Sequence, residues 1–145
     1  MHDLRIERTF PVAPATVFDF VTQKENLLKW WGPEGTSIGE HDLDLSRPGP
    51  WFFVLIDPMG GQHRVSGEVL SVDAPNTVEF SLIVHSPEGP PSIDSVVRFE
   101  VSAAPTGGAH FVLIQTGLSE EEIVRGSTQG WISTLSRLEE LLKQN

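Results

Sequence analysis

The stretch LSEEEIVRGSTQGWISTLSRLEELLK, residues 118–143, predicts one amphipathic helix close to the end of the chain. At roughly 1.5 Å per residue, this helix is about 36 Å long. One face carries residues at the three-to-four spacing of a buried stripe, namely Ile123, Ser127, Trp131, Leu135, Leu138 and Leu142. A helix with such a face needs a surface to pack on, so the preceding chain is expected to supply one.

The start and the middle of this helix carry further signals. Ser119 followed by Glu122 matches a capping box, which places the first turn at Ser119. Gly126 and Gly130 lie in the interior, where each glycine costs about 1 kcal/mol relative to alanine. Two explanations remain open for these glycines: close packing against a neighbour, which we favour, or room left for another molecule.

The preceding chain has the pattern of an antiparallel sheet. Strands are predicted at residues 6–12, from 38 onward, and at 51–56, 62–72, 77–84, 95–101 and 110–116, with hairpin-sized turns such as 106–108. Two short helices, one starting at Pro14 and one over residues 25–30, separate the first strand from the others. The first strand must therefore pair with a strand that is distant in the sequence.

Alternation of side chains assigns one face of this sheet to the core. That face carries Trp51, Phe53, Leu55, Val78, Phe80, Leu82, Val97, Phe99, Val101, Phe111, Leu113 and Gln115. Several residues of the opposite face are also apolar, namely Phe52, Val54, Ile56, Val112 and Ile114. Either the assignment slips at a β-bulge, or the outer face is covered by a second subunit, which predicts a possible homodimer.

Composition limits the classes of function. The 145 residues predict a single domain, 1–145, and the formal charge of −10 argues against nucleic acid or an anionic membrane as partner. The sequence has no cysteine, no signal-peptide pattern and no apolar run long enough to span a membrane. A cytoplasmic protein without a membrane span is expected.

The sequence gives little support for a catalytic site or a metal site. The segment GTSIG, residues 35–39, matches a nucleophile elbow, but it follows a helix stop and enters a strand, which is the wrong context. The five histidines lack the ligand spacing of a zinc site, and no carboxylate pair suggests acid–base catalysis. No metal, cofactor or catalytic residue is predicted.

Several motifs together resemble a known family. They are FPVAP at residues 10–14, WWGP at 30–33, GPW at 49–51, DPMGG at 57–61, GEV at 67–69 and GW at 130–131. In this order, they resemble the domain family named after the activator of the heat-shock-protein-90 ATPase, within the START-like (SRPBCC) superfamily that includes birch-pollen allergens. The resemblance implies an α+β helix-grip fold, in which a curved antiparallel sheet wraps around the long C-terminal helix. It also implies a hydrophobic cavity between helix and sheet in many members.

The leading functional hypothesis is a binding module for a small, largely apolar molecule held in such a cavity. The candidate lining residues are Trp30, Trp31, Trp51, Phe53, Phe80, Phe99, Leu113, Gln115, Trp131 and Leu135. Gln115, a polar residue on the inner face, either orients the ligand or bonds a neighbouring backbone group. The four tryptophans have core packing as the alternative to lining the cavity. The alternatives implied by the resemblance are a co-chaperone-like domain that binds a protein partner, and a polyketide cyclase- or hydrolase-like enzyme acting in the cavity.

Overall fold

The computed structural model describes residues 2–105 and 107–144, which form seven strands and three helices. In chain order these are β1 (His2–Phe10), α1 (Pro14–Thr22), α2 (Lys24–Leu27), β2 (Ser37–Asp42), β3 (Gly49–Ile56), β4 (Gln62–Asp73), β5 (Thr77–Val84), β6 (Ile93–Ala103), β7 (Ala109–Leu118) and α3 (Glu121–Lys143). Residue 106 of the predicted turn and the two ends of the predicted domain, residues 1 and 145, lie outside the described residues.

The seven strands form one antiparallel sheet in the order β1-β7-β6-β5-β4-β3-β2. The first strand pairs with the last, because the two short helices carry the chain away from β1 before β2 begins. From β2 to β7 each strand pairs with the next one along the chain. The predicted long-range partner of the first strand is thereby confirmed.

The inner face of the sheet contains the residues that alternation assigned to it. Eleven of the twelve are buried, and Leu55 is half-buried. The register shifts fall between His2 and Leu4, between Ile38 and His41, and between Val69 and Ser71. None of these positions belongs to an assigned segment, so the assigned faces are not reversed. On the opposite face, Phe52 is half-buried beneath the Arg64 guanidinium, whose carbon lies 4.5 Å from the centre of the ring. Neighbouring side chains therefore shield part of this apolar face.

The long helix begins at Glu121, three residues later than its sequence pattern indicated. Ser119 does not cap it, because β7 continues through Leu118, which pairs with His2 and is buried. Glu120 occupies the N-cap position without a side-chain capping bond. The predicted capping box is therefore wrong, although Glu121 and Glu122 still place negative charge at the positive end of the helix.

Two other boundaries differ from the prediction. The strand β1 ends at Phe10 and does not reach residue 12, because Pro14 already starts α1. The helix α2 covers Lys24–Leu27, and residues 28–30 form a tight turn in which the Trp30 N–H donates to the Leu27 carbonyl. This turn brings both tryptophans of the WWGP segment into the core.

The helix α3 packs on the concave face of the sheet more deeply at its C-terminal end than at its N-terminal end. Leu135, Leu138 and Leu142 are fully buried, whereas Ile123 and Ser127 of the same face are half-buried. No helix in the described part of the chain has both the length and the apolar character needed to cross a bilayer.

Candidate functional site: a cavity under the long helix

The WWGP segment, residues 30–33, connects the short helices to the long one. Trp30 is completely buried, and its indole Nε1–H donates to the Phe20 carbonyl at 2.9 Å. Gly32 follows with a φ of +91°, which favours glycine, and a Cβ there would lie 2.8 Å from the Thr36 hydroxyl oxygen. The backbone reversal at Gly32 lets the neighbouring Trp31 ring turn into the core.

Side chains of α3 form hydrogen bonds with the backbone of the WWGP segment and of the residue that follows it. The Arg137 Nη1 group donates to the carbonyl oxygens of Trp31 at 3.2 Å and Gly32 at 2.9 Å. The Ser133 hydroxyl accepts a hydrogen bond from the backbone N–H of Glu34 at 2.9 Å. The position of Trp31 therefore depends directly on the helix that covers the sheet.

Trp31 is the centre of an aromatic cluster between α3 and the sheet. Its ring meets Trp131 at a centroid distance of 5.8 Å and Phe53 at 6.0 Å, both nearly perpendicular. Trp131 in turn stands edge-on to Phe99 at 6.1 Å. Edge-to-face contacts of this kind add about 0.5–1.5 kcal/mol each beyond burial and hold the rings at fixed angles.

Beside this cluster lies a cavity of about 150 Å³, which we call the apolar cavity. Its walls are Trp31, Gly32 and Pro33 of the WWGP segment; Phe53, Leu55, Val65, Leu82, Val84, Ile93 and Gln115 of the sheet; and Ser127, Gly130, Trp131 and Thr134 of α3. The sheet residues lie on five adjacent strands, β3 to β7, which together form one end of the concave face.

The cavity exists because α3 presents small residues at this level. Ser127 and Gly130 offer little side-chain volume, whereas one to three turns later Leu135, Leu138 and Leu142 fill the space above the sheet. The hydroxyl of Thr134 is already satisfied by the Gly130 carbonyl at 2.8 Å, so its methyl group is left to line the wall. The cavity wall is therefore mostly apolar.

Gln115 belongs to a chain of buried hydrogen bonds at the cavity wall. The Trp131 indole Nε1–H donates to Gln115 Oε1 at 2.9 Å, and Gln115 Nε2 donates to the Ser95 hydroxyl at 2.8 Å. The Ser95 hydroxyl donates to the Leu82 carbonyl at 3.0 Å. Because an indole N–H can only donate, the orientation of the amide is fixed. Among residues 2–105 and 107–144, the other lone pair and the other N–H of the Gln115 amide have no hydrogen-bond partner.

The structure places the ten candidate residues in two groups. Trp31, Phe53, Gln115 and Trp131 line the apolar cavity. The other six belong to the buried core and are not part of this wall: Trp30, Trp51, Phe80, Phe99, Leu113 and Leu135. Among them, Trp51 is buried with an Nε1–H that has no hydrogen-bond partner within residues 2–105 and 107–144.

The two helix glycines do not serve close packing, which corrects the explanation favoured from the sequence. A Cβ at Gly126 would meet nothing within 4 Å, and one at Gly130 would meet only the Pro33 ring at 4.0 Å. Gly130 also lines the apolar cavity. The alternative explanation, that the glycines leave room, is the one that agrees with the geometry at Gly130.

Several lining residues were missed by the sequence reasoning. Ser127 and Thr134 lie one helical turn from Trp131, so helical spacing was a usable signal for them. Ser95, which bonds Gln115 but is not itself part of the wall, is in phase with Val97 on the inner face of β6, so alternation was a usable signal for it. By contrast, Val65, Val84 and Ile93 lie near strand ends, and it is the strand register that brings them together, with Val65 opposite Val84 and Val84 opposite Ile93.

The apolar cavity has little capacity for acid–base chemistry. Its polar side chains, Gln115, Ser127 and Thr134, do not ionise near neutral pH, and none of the described lining residues is charged. The groups with shifted pKa values lie outside its wall. The Glu100 carboxylate raises the pKa of Arg98, and the Arg5 guanidinium lowers the pKa of Glu7. Both shifts accompany ion pairs near the protein surface.

One shifted carboxylate predicts a pH effect on stability. In the β3–β4 turn, Asp57 accepts hydrogen bonds from His63 Nε2 at 2.9 Å and from two backbone N–H groups, and these bonds lower its pKa. Since the folded-state pKa is depressed, this stabilisation is present above the ordinary pKa and is lost as pH falls through the folded value. We expect Asp57→Asn to lose less stability than wild type on acidification, in urea unfolding at several pH values.

The matched control for this prediction is Asp42→Asn, at an exposed position on the edge strand β2. It is expected to follow the wild-type pH dependence. Identical acid profiles for Asp57→Asn and wild type would contradict a role for the Asp57 hydrogen bonds.

The sheet, the long helix and the cavity between them define a START-like helix-grip domain. The chain belongs to the family of Activator of Hsp90 ATPase homolog 1-like proteins, whose family model matches residues 11–143. This confirms the resemblance and the α+β fold inferred from the sequence.

Solved structures from several bacteria agree with this assignment. An AHSA1 protein from Silicibacter pomeroyi is 37% identical, with a TM-score of 0.92 over 99% of each chain. A protein from Nitrosomonas europaea is 28% identical, with a TM-score of 0.80 over 98% of this chain and 94% of that one. A Chromobacterium violaceum protein, at 20% identity and a TM-score of 0.81 over 97% and 96%, shares the fold. No match was found among the curated proteins.

Proposed function

We propose that the protein binds a small, largely apolar molecule in the apolar cavity under α3. The observation that carries the proposal is the cavity itself: about 150 Å³, walled by aliphatic and aromatic side chains. A dry apolar cavity of about 150 Å³ in another protein takes up benzene or xenon, which sets the size of ligand that fits without rearrangement. Desolvation of the apolar surfaces supplies the driving force.

Gln115 gives the proposed site a polar group that can form a hydrogen bond with a ligand. Its amide keeps one N–H and one lone pair after bonding Ser95 and Trp131. A ligand with one hydroxyl or carbonyl group on an apolar body can use this capacity. Sites for small molecules usually combine an apolar wall with a few placed polar groups, and this cavity has that composition.

A titration with benzene tests this proposal. Binding is followed through the indole N–H signals in ¹H–¹⁵N NMR spectra, with Trp131 assigned by the Trp131→Phe variant. We expect a saturable shift of the Trp131 signal, because its indole lines the cavity and bonds Gln115. We also expect Ser127→Leu to weaken benzene binding by about tenfold or more, because the leucine side chain fills the cavity.

The control is the same substitution at Ser136, which is exposed on the same helix. Ser136→Leu is expected to retain benzene binding. If benzene shifts no signal from the cavity wall, or if Ser127→Leu and Ser136→Leu bind it equally, the proposed site is wrong.

A second candidate is a co-chaperone-like role with a protein partner. The family description, together with the formal charge of −10, favours an acidic surface that meets a basic partner. The test is the ATPase turnover of a bacterial homologue of heat-shock protein 90 with and without this protein. An unchanged turnover excludes this role. Either role is proposed for the cytoplasm, which suits a chain without cysteine.

The outer face of the sheet supports the homodimer as part of this second candidate. Phe52, Val54 and Ile56 of β3 are half-buried there, and a second copy would cover them. Sedimentation equilibrium tests this point. A monomer at all concentrations would exclude the dimer.

A further inference from the structure

A second concavity also has Trp31 in its wall, and we call it the Arg137 cleft. Its volume is about 390 Å³, which is within the usual range for sites of organic ligands. Leu28, Trp31 and Ile38 form its apolar part, and its polar side chains come from Thr36, Ser37, His41 and Arg137. None of the described residues that line it is a carboxylate, although the protein as a whole is acidic.

Arg137 is the charged group of this cleft, and its guanidinium is fixed but only partly used. The Nη1 group donates to the Trp31 and Gly32 carbonyls, as described above. Within residues 2–105 and 107–144, the Nε–H and the Nη2 hydrogens have no hydrogen-bond partner and no carboxylate forms an ion pair with Arg137. A guanidinium can donate two parallel hydrogen bonds to a carboxylate. The edge formed by Nε and Nη2 therefore has the donors that a carboxylate ligand would need.

We propose that the Arg137 cleft binds a small organic carboxylate. The carboxylate pairs with the unused edge of the Arg137 guanidinium, and the apolar body of the ligand contacts the Trp31, Leu28 and Ile38 side of the cleft. The positive charge is half-buried, so its attraction for an anion is stronger than that of a fully exposed arginine. The negative charge of the remaining surface is screened beyond a distance of about 8 Å at physiological salt.

The Arg137 cleft differs from the apolar cavity in its chemistry and in the side chains that would bind a ligand. Among the described residues, Trp31 is the one that lines both. The apolar cavity has no charged lining residue among those described, whereas the cleft has Arg137. Among the described lining residues, a carboxylate therefore has a positively charged partner only in the cleft, whereas benzene is proposed for the apolar cavity.

The experiment compares benzoate with its neutral analogue benzamide at about 0.15 M salt. Backbone signals, the arginine Nε–H signals and the indole signals are followed by NMR in the wild-type protein. We expect benzoate to shift the Arg137 and Trp31 signals and to bind about tenfold more tightly than benzamide, because only benzoate brings a negative charge that pairs with the guanidinium. Inorganic phosphate, which has no apolar body, is expected to bind more weakly than benzoate.

Variants locate the binding. Arg137→Gln is expected to weaken benzoate binding about tenfold or more, whereas Arg125→Gln, at an exposed position of the same helix, leaves it unchanged. Ser127→Leu, which blocks the apolar cavity, is expected to leave benzoate binding intact, so the two sites can fail independently. If Arg137→Gln does not fold, the wild-type comparison still decides. Equal binding of benzoate and benzamide, phosphate binding as tight as that of benzoate, or signals shifted only at other arginines would overturn the proposal.

Discussion

Gly67→Ala is expected to lower the free energy of unfolding by about 3 kcal/mol, near the upper end for overpacking of a core. A Cβ at this position would lie 1.9 Å from the Ser81 carbonyl oxygen and 3.0 Å from the Trp51 ring. The first of these atoms belongs to the backbone of β5, so a rotamer change cannot relieve the clash. The strands β4 and β5 would have to separate, with loss of ladder hydrogen bonds.

The Trp51 ring fills the space beside Gly67 that a side chain would otherwise occupy. Gly67 pairs with Trp51 across β3 and β4, and the indole lies over the glycine. An aromatic ring that covers a glycine on a neighbouring strand replaces the packing that the glycine lacks. An alanine would therefore displace this ring as well as the backbone.

The matched control is the same substitution at Gly126, and it is expected to have the opposite sign. A Cβ at Gly126 meets nothing within 4 Å, and the residue lies in the helix interior. Gly126→Ala should therefore raise the free energy of unfolding by about 0.5–1 kcal/mol through helix propensity alone. Urea unfolding of both variants measures the two effects. Equal effects of the two substitutions would contradict the packing described for Gly67.

The periodic parts of the sequence predicted the fold because each period has one structural meaning. The Trp131, Leu135, Leu138 and Leu142 spacing fits only a helix with one buried face, and these four residues are buried. The alternation of Phe80 and Phe99 with half-buried neighbours fits only strands. Such patterns are local, so they can be read without knowing the tertiary structure.

The cavity was less predictable from the sequence because it depends on where the helix α3 and the sheet leave a gap between them. Trp51 and Trp31 are equally aromatic in the sequence, yet only Trp31 reaches the apolar cavity. The difference arises from the Gly32 reversal and the Arg137 bonds, which are tertiary features. The capping box failed for a similar reason, since the pairing of Leu118 in β7 overrides a local helix signal.

Gln115→Leu is expected to lower the free energy of unfolding by about 1–3 kcal/mol, because it leaves a buried donor without an acceptor. The donor is the Trp131 indole N–H, which bonds Gln115 Oε1 at 2.9 Å. The Ser95 hydroxyl is less affected, since it keeps the Leu82 carbonyl as its acceptor. Most of the cost should therefore come from Trp131 alone.

A double-mutant cycle with Trp131→Phe separates this cost from ordinary packing. Phenylalanine has no N–H, so in the Trp131→Phe background Gln115→Leu no longer leaves an unpaired indole donor. We expect the two substitutions together to cost about 1 kcal/mol or more less than the sum of the single costs, measured by urea unfolding. The control pair replaces Gln115→Leu by Gln129→Leu, at an exposed position of α3, and should be additive. Additivity in the Gln115 cycle would show that the bond does not couple α3 to the sheet.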